Sequence, residues 1–422
     1  MEIKNVVVIG ASGAVGKAVS GIFASFGNAK VYMLCRNPNK NIEAPSEAAV
    51  SVKALTVKDN LILKSMDELE ECVSGADLVF ESVSEDLDLK KEIHSRINKA
   101  SRGNCIVATG TSGLSVDELA DCYDKNKRSN FFGIHFFNPP YSLLLCELIP
   151  SKYNDKKMID QVHDYLRDVL LRDVVIVKNE PAFLANRIGF MFMNEALQYA
   201  EKYKEYGGID YIDFVLGKYT GRNMKPIETI DFVGLDVHKA IVDNVYKNTS
   251  DKDSFKLPDY VNKLIDEGKL GAKVKEGLYK KENGKDLVYD IATGNYREVV
   301  NYNFYYLDNV INCFKGANYK EGFDIIKNDN SQECKICMYF MLKYIVYSIE
   351  TANKLCDDVR YCDSAMASGF NWLPPLALIE VLGGNKEVVK LCKKHLKKDY
   401  SSLFENIPKS KFDYRKYIKA KV

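Results

Sequence analysis

The sequence predicts an N-terminal α/β domain built on a doubly wound sheet, followed by all-α C-terminal domains. Three observations predict this fold class. An apolar run at residues 6–9 leads through a glycine-rich turn into a helical pattern. Strand and helix patterns then alternate, with polar turns after the strands. From about residue 181 the pattern is mainly helical. We therefore expect a dinucleotide-binding domain over 1–180, a helical domain over 181–285, and a linker with a second helical repeat over 286–422.

Composition excludes several classes of protein. A chain of 422 residues is too long for one compact core, and 46% apolar with 28% charged residues is typical of soluble globular proteins. Lys+Arg 59 against Asp+Glu 58 gives a net charge of +1, which predicts no nucleic-acid partner and no membrane partner. The sequence has no apolar run of the roughly 18 residues that cross a bilayer, and no signal-peptide pattern. We expect a cytoplasmic protein with reduced cysteines.

Cys334 and Cys337 form the only C-x-x-C pair in the sequence. A second pair at zinc spacing is missing, and the segment is apolar with a helical pattern. We therefore expect these thiols to pack in a core, and we predict no metal site.

The first strand, Val6–Ile9, enters a turn that opens a helix reaching about Phe26. Glycines let such a turn approach a pyrophosphate, and the following helix N-terminus supplies free N–H groups. The spacing G-x-x-G-x-x-G has one residue more between its first two glycines than the common fingerprint G-x-G-x-x-G. The pattern predicts a Rossmann-like dinucleotide site lined by Gly10, Ser12, Gly13, Ala14, Val15 and Gly16.

The second strand, residues 31–34, ends in Cys35-Arg36-Asn37. An NAD site normally has an acidic residue here, which binds the ribose 2′-hydroxyl. An arginine without a neighbouring carboxylate favours the 2′-phosphate of NADP. Alternatively, Arg36 stacks near the adenine or points to solvent, so the sequence leaves NAD and NADP both open.

Polar residues follow the later strands of the predicted sheet. Glu85 and Ser112 lie in turns after strands at residues 76–81 and 105–108, and His135 follows another short apolar segment. Ligands of a doubly wound sheet bind at the carboxyl ends of its strands. We therefore expect these three side chains in turns at one edge of the sheet.

His135 precedes a proline-containing turn and an apolar segment that includes Glu147, 12 positions further on. A strand, a turn and a returning segment would bring the carboxylate back beside the imidazole. This arrangement orients a general base and stabilises its protonated form. The alternative is a core histidine next to a glutamate at the rim.

The C-terminal half contains a predicted repeat. Tyr211-Ile212-Asp213, Pro226 and Gly234 correspond to Tyr361-Cys362-Asp363, Pro375 and Gly383. The separations from aspartate to glycine are 21 and 20 residues, which predicts two helical units related by duplication. The segment between them, Gly268–Tyr305, is predicted to be a linker or surface loop.

Six motifs occur in the order found in the L-3-hydroxyacyl-CoA dehydrogenase family, and the sequence resembles that family from Val6 to about Tyr279. The most specific is His135-Phe-Phe-Asn-Pro with the following Glu147. A weaker repeat of the family's helical domain covers roughly 330–400, as in multifunctional fatty-acid β-oxidation enzymes, without a hydratase-like region. The other motifs are Ala76-Asp-Leu-Val-Phe-Glu-x-x-x-Glu85, Thr111-Ser112, Phe183-x-x-Asn186-Arg187, Asp231-x-x-Gly234-Leu235-Asp236 and Lys273-x-x-Glu-Gly277-x-Tyr279.

The resemblance implies an oxidoreductase that interconverts (S)-3-hydroxyacyl-CoA and 3-oxoacyl-CoA with NAD(P), in fatty-acid or butanoate-type metabolism. By resemblance, His135 would exchange the proton of the substrate 3-hydroxyl, and Glu147 would orient His135. Ser112 and Asn186 would hydrogen-bond the substrate oxygens. The residues implied on the nicotinamide and ribose side are Glu85, Lys90 and Asn138.

Three departures from the family pattern leave alternatives open. Cys35-Arg36 replaces the acidic residue, and Ala182 stands where the family usually has glycine, which we expect to be a mild change. Only 50 positions separate Cys35 from Glu85, a short interval for a family that usually carries a CoA-contacting helical hairpin there. The alternatives are a dehydrogenase of a free 3-hydroxy acid and a non-catalytic nucleotide-binding protein. Duplicated helical units predict a monomer, or a homodimer with a different interface.

Overall fold

The structure is a computed structural model that describes residues 1–420. The chain forms two compact units, an N-terminal unit of residues 1–183 and a C-terminal unit from residue 184 onward. The first contains a large sheet with surrounding helices and the second is rich in helices, which confirms the predicted fold class. Within the described residues, no helix is both long and apolar enough to cross a membrane.

The N-terminal unit is organised around one eight-stranded sheet with the order β3-β2-β1-β4-β5-β6-β7-β8. Its strands are β1 Asn5–Ile9, β2 Lys30–Cys35, β3 Leu61–Ser65, β4 Leu78–Glu81, β5 Ile106–Thr109, β6 Phe131–Phe136, β7 Leu145–Pro150 and β8 Asp173–Ile176. Its helices are α1 Ala14–Ser25, α2 Ala44–Ser51, α3 Leu69–Ser74, α4 Leu87–Ala100, α5 Val116–Ala120 and α6 Lys156–Asp164.

The strands from β3 to β6 run parallel, whereas β7 returns antiparallel beside β6 and pairs in parallel with β8. The central strands are buried on both faces, which explains their uninterrupted apolar sequences. Ile22 and Phe23 of α1 are fully buried in the sheet's core. Each such side chain stabilises the fold by about 1.5–3 kcal/mol. This rigid sheet holds the turns that carry the candidate site.

Residues 37–75, which showed no clear sequence pattern, contain α2, β3 and α3. Helix α2 packs against α1 so closely that a Cβ at Gly21 would lie 2.5 Å from the carbonyl oxygen of Ala48. Ala44, Ala48 and Ala49 of α2 belong to the sheet's core. Small residues therefore dock this helix onto the sheet layer, and the segment completes the fold.

The C-terminal unit begins with a long buried helix and continues through helical and small sheet segments. Its helices are α7 Ala185–Lys202, α8 Ile209–Val215, α9 Pro226–Val233, α10 Leu235–Asn248, α11 Asp259–Asp266, α12 Leu307–Lys315, α13 Tyr319–Asn328, α14 Gln332–Leu355, α15 Tyr361–Phe370, α16 Pro375–Val381 and α17 Asn385–His395. Its strands are β9 Tyr279–Glu282, β10 Lys285–Tyr289 and β11 Tyr296–Glu298.

Two sets of four helices, α7–α10 and α14–α17, share local geometry. Asp213 on α8 accepts hydrogen bonds from the N–H groups of Ile227 and Glu228 at the start of α9 (2.7 and 2.9 Å). Asp363 on α15 accepts the N–H of Leu376 at the start of α16 (2.7 Å). In both sets a buried aspartate thus caps the third helix, where four N–H groups otherwise lack partners.

The segment 268–305 is not simply a linker, and this prediction was wrong. It contains the three-stranded antiparallel sheet β11-β10-β9. Asn283 and Gly284 connect β9 to β10 with φ values of +51° and +78°. Two consecutive positive φ values define the tight hairpin turn that Asn-Gly favours. The Asn-Gly pair was therefore the sequence signal for this hairpin.

Cys334 and Cys337 lie buried on α14. The thiol of Cys337 contacts the carbonyl oxygen of Val215 at 2.9 Å. Across residues 1–420, no cluster of three or more His, Cys, Asp or Glu side chains has the geometry to hold a metal ion.

Candidate active site

The turn after β1 needs glycine at two positions. Gly10 has φ +82°, and a Cβ there would lie 2.4 Å from the carbonyl oxygen of Ser82. A Cβ at Gly16 would lie 2.5 Å from the carbonyl oxygen of Gly10. Any larger residue would push α1 away from the β1 and β4 strand ends.

Gly13 differs, because the space beside it is open. It is exposed, and a Cβ there would meet only the Gly10 carbonyl oxygen, at 3.4 Å. Gly13 is the N-cap of α1 and places no side chain on the free N–H groups of the first helical turn. These N–H groups and the helix dipole can bind a pyrophosphate. The neighbouring predicted residues of this turn are Ser12 (half-buried), Ala14 (exposed) and Val15 (half-buried).

Arg36 follows β2 directly and is exposed. The turn is tied to the end of that strand, since the N–H groups of Gly10 and Ala11 both donate to the carbonyl oxygen of Leu34 at 3.0 Å. This connection places the end of β2, and with it the backbone of Arg36, next to the nucleotide turn, on the side where the adenosine ribose of a dinucleotide binds. A positive, planar group here can bind a phosphate through two parallel hydrogen bonds.

His135 and Glu147 lie directly opposite each other in the antiparallel pair β6–β7. Opposed residues of such strands carry their side chains on the same face. His135 Nδ1 lies 2.7 Å from Glu147 Oε2. Glu147 has no exposed surface and His135 is 5% exposed. His135 is the penultimate residue of β6, so the expectation that it lies in a turn was wrong.

The second ring nitrogen of His135 is available for chemistry. An ionised Glu147 fixes the proton on Nδ1, which leaves the lone pair on Nε2. No protein atom within residues 1–420 hydrogen-bonds to Nε2. The rings of Phe137 and Phe183 flank the imidazole, with centroids at 4.6 and 5.8 Å. The histidine is thus oriented by a carboxylate and shielded by aromatic rings.

Glu85 and Ser112 lie together at the carboxyl ends of β4 and β5. Glu85 Oε1 accepts hydrogen bonds from the Thr111 hydroxyl (2.6 Å) and the Ser112 N–H (2.8 Å). The Glu85 side chain is 43% exposed, and Ser112 is half-buried. The structure therefore joins two of the predicted residues through a backbone contact, which the sequence did not indicate.

Lys90 lies on α4 with no exposed surface. Its Nζ donates to Glu81 Oε1 at 2.8 Å and lies 3.5 Å from Glu85 Oε2. The lysine therefore lies behind Glu85, beneath the surface. Glu81 and His94 are also buried in this cluster. The family motif at residues 76–85 includes Glu81 but gave it no role, and a histidine four residues after Lys90 was the signal for His94.

The two predicted asparagines lie in different units. Asn138 is exposed and follows β6 by two residues. Asn186 is the second residue of α7 in the C-terminal unit and is 7% exposed. Its role in the same site as His135 stays a prediction.

Two models of one protein family match this chain. The 3-hydroxyacyl-CoA dehydrogenase NAD binding domain matches residues 5–180. The C-terminal domain of the same family matches residues 183–281. The two matches follow each other directly and include every residue predicted for the site.

Curated relatives and solved structures agree with these matches. The probable 3-hydroxyacyl-CoA dehydrogenase of Bacillus subtilis is 30% identical over 331 residues, which are 78% of this chain but 41% of that protein. The mitochondrial hydroxyacyl-coenzyme A dehydrogenase of Sus scrofa is 28% identical over 66% of this chain and 91% of its own length. The structure of 3-hydroxybutyryl-CoA dehydrogenase from Escherichia coli has the same fold, with a TM-score of 0.72 and 18% identity over 96% of this chain and 98% of that one.

The sheet order, the glycine-rich turn and the His135–Glu147 pair occur in a chain that the two domain models match over most of its length. The chain belongs to the 3-hydroxyacyl-CoA dehydrogenase family.

Proposed function

We propose that this protein is an NAD(P)-dependent dehydrogenase that interconverts (S)-3-hydroxyacyl-CoA and 3-oxoacyl-CoA in fatty-acid metabolism. The observation that carries the proposal is the His135–Glu147 pair, whose Nε2 has no protein partner within residues 1–420. The pair lies near the carboxyl end of β6, at the same end of the sheet as the nucleotide turn that follows β1. The names of the family and of its members supply the type of reaction, and the His135–Glu147 pair supplies a general base for it.

The bound nicotinamide supplies the acceptor for a hydride from C3 of the hydroxyacyl substrate, and its reduced form supplies the donor. In the oxidation, His135 Nε2 takes the proton of the 3-hydroxyl, and in the reduction it returns that proton. Glu147 keeps the ring oriented and compensates the charge of the imidazolium. Phe137 and Phe183 exclude water from the imidazole. Ser112 and Asn186 hydrogen-bond the substrate oxygens.

The activity is tested by mixing the protein with acetoacetyl-CoA and either NADH or NADPH, and following oxidation of the cofactor. Turnover with one of the cofactors is expected. Acyl-CoA esters of several chain lengths extend the assay. A folded protein that is inert with every ester and both cofactors would contradict the assignment.

One structural observation favours a second candidate, a dehydrogenase of a free 3-hydroxy acid. Residues 37–75 form α2, β3 and α3, and α2 is docked against α1 as part of the core. A helix used in this way is not a projecting hairpin that could hold CoA. Turnover of 3-hydroxybutyrate without turnover of its CoA ester would support this candidate over the first.

Arg36 supports the use of NADP as the cofactor, whereas the family's domain is described as NAD binding. Titration of NADH and NADPH into the wild type and Arg36→Asp separates the two. We expect the substitution to weaken NADPH binding at least about tenfold, since it removes a charge-assisted contact and adds a repulsive carboxylate. NADH binding should change far less. Equal dissociation constants for both proteins would place Arg36 outside the ribose site.

The oligomeric state is a separate proposal. The shared geometry of α7–α10 and α14–α17 supports a chain that supplies two copies of the helical domain by itself. We expect light scattering to give a monomer, or a homodimer that does not use residues 186–280. A tight dimer through those residues would contradict it.

A further inference from the structure

A closed ring of three hydrogen bonds ties the start of α7 to a helix of the second repeat. We call α7–α10 the first helical copy and α14–α17 the second. Arg187, directly after Asn186 on α7, donates from Nη2 to Asp251 Oδ2 (2.8 Å) and from Nε to the Tyr347 hydroxyl oxygen (3.3 Å). The Tyr347 hydroxyl donates to the same Asp251 oxygen at 2.7 Å. Asp251 follows α10, whereas Tyr347 lies on α14, so the ring joins the two copies.

The ring is charged and largely removed from water. Arg187 is 2% exposed, and the Asp251 side chain is 29% exposed. Burial acts to raise the pKa of Asp251, but the hydrogen bonds from Arg187 and Tyr347 lower it below its usual value. Hydrogen bonds between ionised groups are among the strongest in proteins. The guanidinium is therefore held from two sides, by a loop of the first copy and by a helix of the second.

The next turns of α7 pack closely against the second copy. A Cβ at Gly189 would lie 2.5 Å from a ring carbon of Phe370 on α15. One turn further, the ring of Phe192 meets that of Trp372 with centroids 5.4 Å apart. The second copy thus packs against the end of α7 that carries Asn186.

The second copy does not carry the Asn-Arg pair itself. An offset of 150 positions relates the capping aspartates of the two copies, and it places Ile336 and Cys337 opposite Asn186 and Arg187. An isoleucine side chain cannot hydrogen-bond a substrate oxygen, and the Cys337 thiol is buried. The contribution of the second copy to the proposed reaction is therefore indirect.

We propose that Asp251 and Tyr347 are positioning residues that hold Arg187, and with it the first turn of α7, so that the Asn186 amide meets the substrate oxygen in one orientation. The inference rests on the proposed function, since Asn186 takes its role from it. The first turn of a helix has N–H groups without helical partners, and helix ends fray. Contacts from outside the helix therefore decide how firmly a side chain at this position is held.

Tyr347→Phe tests the proposal, because it removes one hydroxyl and leaves the ring in place. With acetoacetyl-CoA we expect kcat/KM for the acyl substrate to fall about tenfold, since a small displacement of a positioning group is costly. The KM for the cofactor should not change. In a double-mutant cycle, Tyr347→Phe should have almost no further effect in the Asn186→Ala background. Independent, multiplying effects in the cycle would overturn the proposal.

Tyr344 is the matched control, because it is a tyrosine of the same helix outside the ring. It is 1% exposed, and its hydroxyl donates to the carbonyl oxygen of Leu373 at 2.9 Å. Tyr344→Phe should lower the Tm as Tyr347→Phe does, with kcat/KM for the acyl substrate within about twofold of the wild type. If both variants lower kcat/KM equally, the effect of Tyr347 is only structural and the proposal fails.

Hydrogen–deuterium exchange gives a second measurement that needs no acyl substrate. Tyr347→Phe should speed exchange several-fold in residues 184–190, at the start of α7, and not in residues 195–202, at its end. Tyr344→Phe should leave both segments alike. A wild type that turns over no acyl-CoA ester contradicts the proposed function, and the exchange result then decides the positioning role by itself. Unchanged exchange at residues 184–190 in Tyr347→Phe would show that the ring does not hold this turn, and the proposal would fall.

Discussion

The N-terminal unit contains two histidine–glutamate pairs that differ in how many ring nitrogens the protein uses. His94 is bonded at both nitrogens, to Tyr123 and Glu81, and has no exposed surface. His135 is bonded to Glu147 at Nδ1 alone and remains 5% exposed. A ring with both nitrogens engaged is locked in one tautomer. A ring with one free nitrogen can exchange a proton with a ligand.

The pairs also differ in their surroundings. His94 shares its glutamate with the charged Lys90, whereas aromatic rings flank His135. A histidine next to a carboxylate is therefore not by itself a sign of catalysis. The free nitrogen and its access to a ligand site separate the two pairs. The first three predictions below test this difference, and the fourth concerns the backbone beside the ring that shields His135.

His135→Gln should have the largest effect. It removes the base, so kcat should fall by at least about 10³-fold, within the range for general acid–base catalysis. Cofactor affinity should stay within about twofold, because the nucleotide turn is untouched. Initial rates with saturating substrate and cofactor measure the loss. A kcat within tenfold of the wild type would show that the free nitrogen is not the working group.

Glu147→Gln should have a smaller effect on the same pair. The amide can accept the Nδ1 proton but cannot compensate the charge of the imidazolium, so kcat should fall by about 10²-fold. The KM values should change little. The rate is measured beside that of His135→Gln under identical conditions. An unchanged kcat would mean that the His135–Glu147 pair has only a structural role, like the His94–Glu81 pair.

Much of this comparison could be anticipated from the sequence. The twelve-residue return from His135 to Glu147, with a turn between, correctly predicted that the two side chains meet. The glycine-rich turn and the polar strand ends predicted the edge of the sheet where Glu85 and Ser112 lie. These features depend on patterns within short stretches of sequence, so they can be recognised without knowing the fold.

The rest depended on contacts that no local pattern encodes. His94 meets Tyr123 across 29 residues, and Glu81 meets His94 across 13, so the buried cluster exists only after the sheet and α4 have packed. The strand pair β9–β10 was different, because Asn283-Gly284 is a sequence signal for a hairpin turn. The flanking residues are mostly charged, so they did not show a strand pattern. That element could have been found from the sequence.

The third prediction concerns stability at acid pH. Burial lowers the pKa of His94 from 6.5, and that of His238 to about 3. Below pH 6.5 the unfolded state binds a proton that the folded state refuses, so stability falls as pH falls. Each histidine contributes up to about 1.4 kcal/mol per pH unit in this window.

His94→Gln and His238→Gln should therefore each flatten the decline in unfolding free energy below pH 6.5, for His238 down to its folded pKa of about 3. Urea unfolding at several pH values measures how the free energy of unfolding depends on pH. A surface variant that leaves both histidines in place is the control, because the titration of carboxylates contributes equally to its slope. Parallel slopes for His94→Gln and the wild type would mean that His94 is protonated in the fold. Its Nδ1 would then donate to the Tyr123 hydroxyl instead of accepting from it, and the neutral tautomer assigned to the locked ring would be wrong.

The smallest expected effect concerns Ala182, beside the ring that shields His135. Ala182 has φ +60° and is 1% exposed, and the adjoining Phe183 has φ +49°. A side chain in the left-handed region costs about 1–2 kcal/mol, which glycine avoids. Ala24, on α1 and equally buried, is the matched control because its helical backbone suits alanine. Ala24→Gly should cost about 1 kcal/mol or more beyond Ala182→Gly in the free energy of unfolding. Equal losses would mean that the left-handed backbone at Ala182 is not strained. Alanine would then replace the family's glycine without a cost in stability.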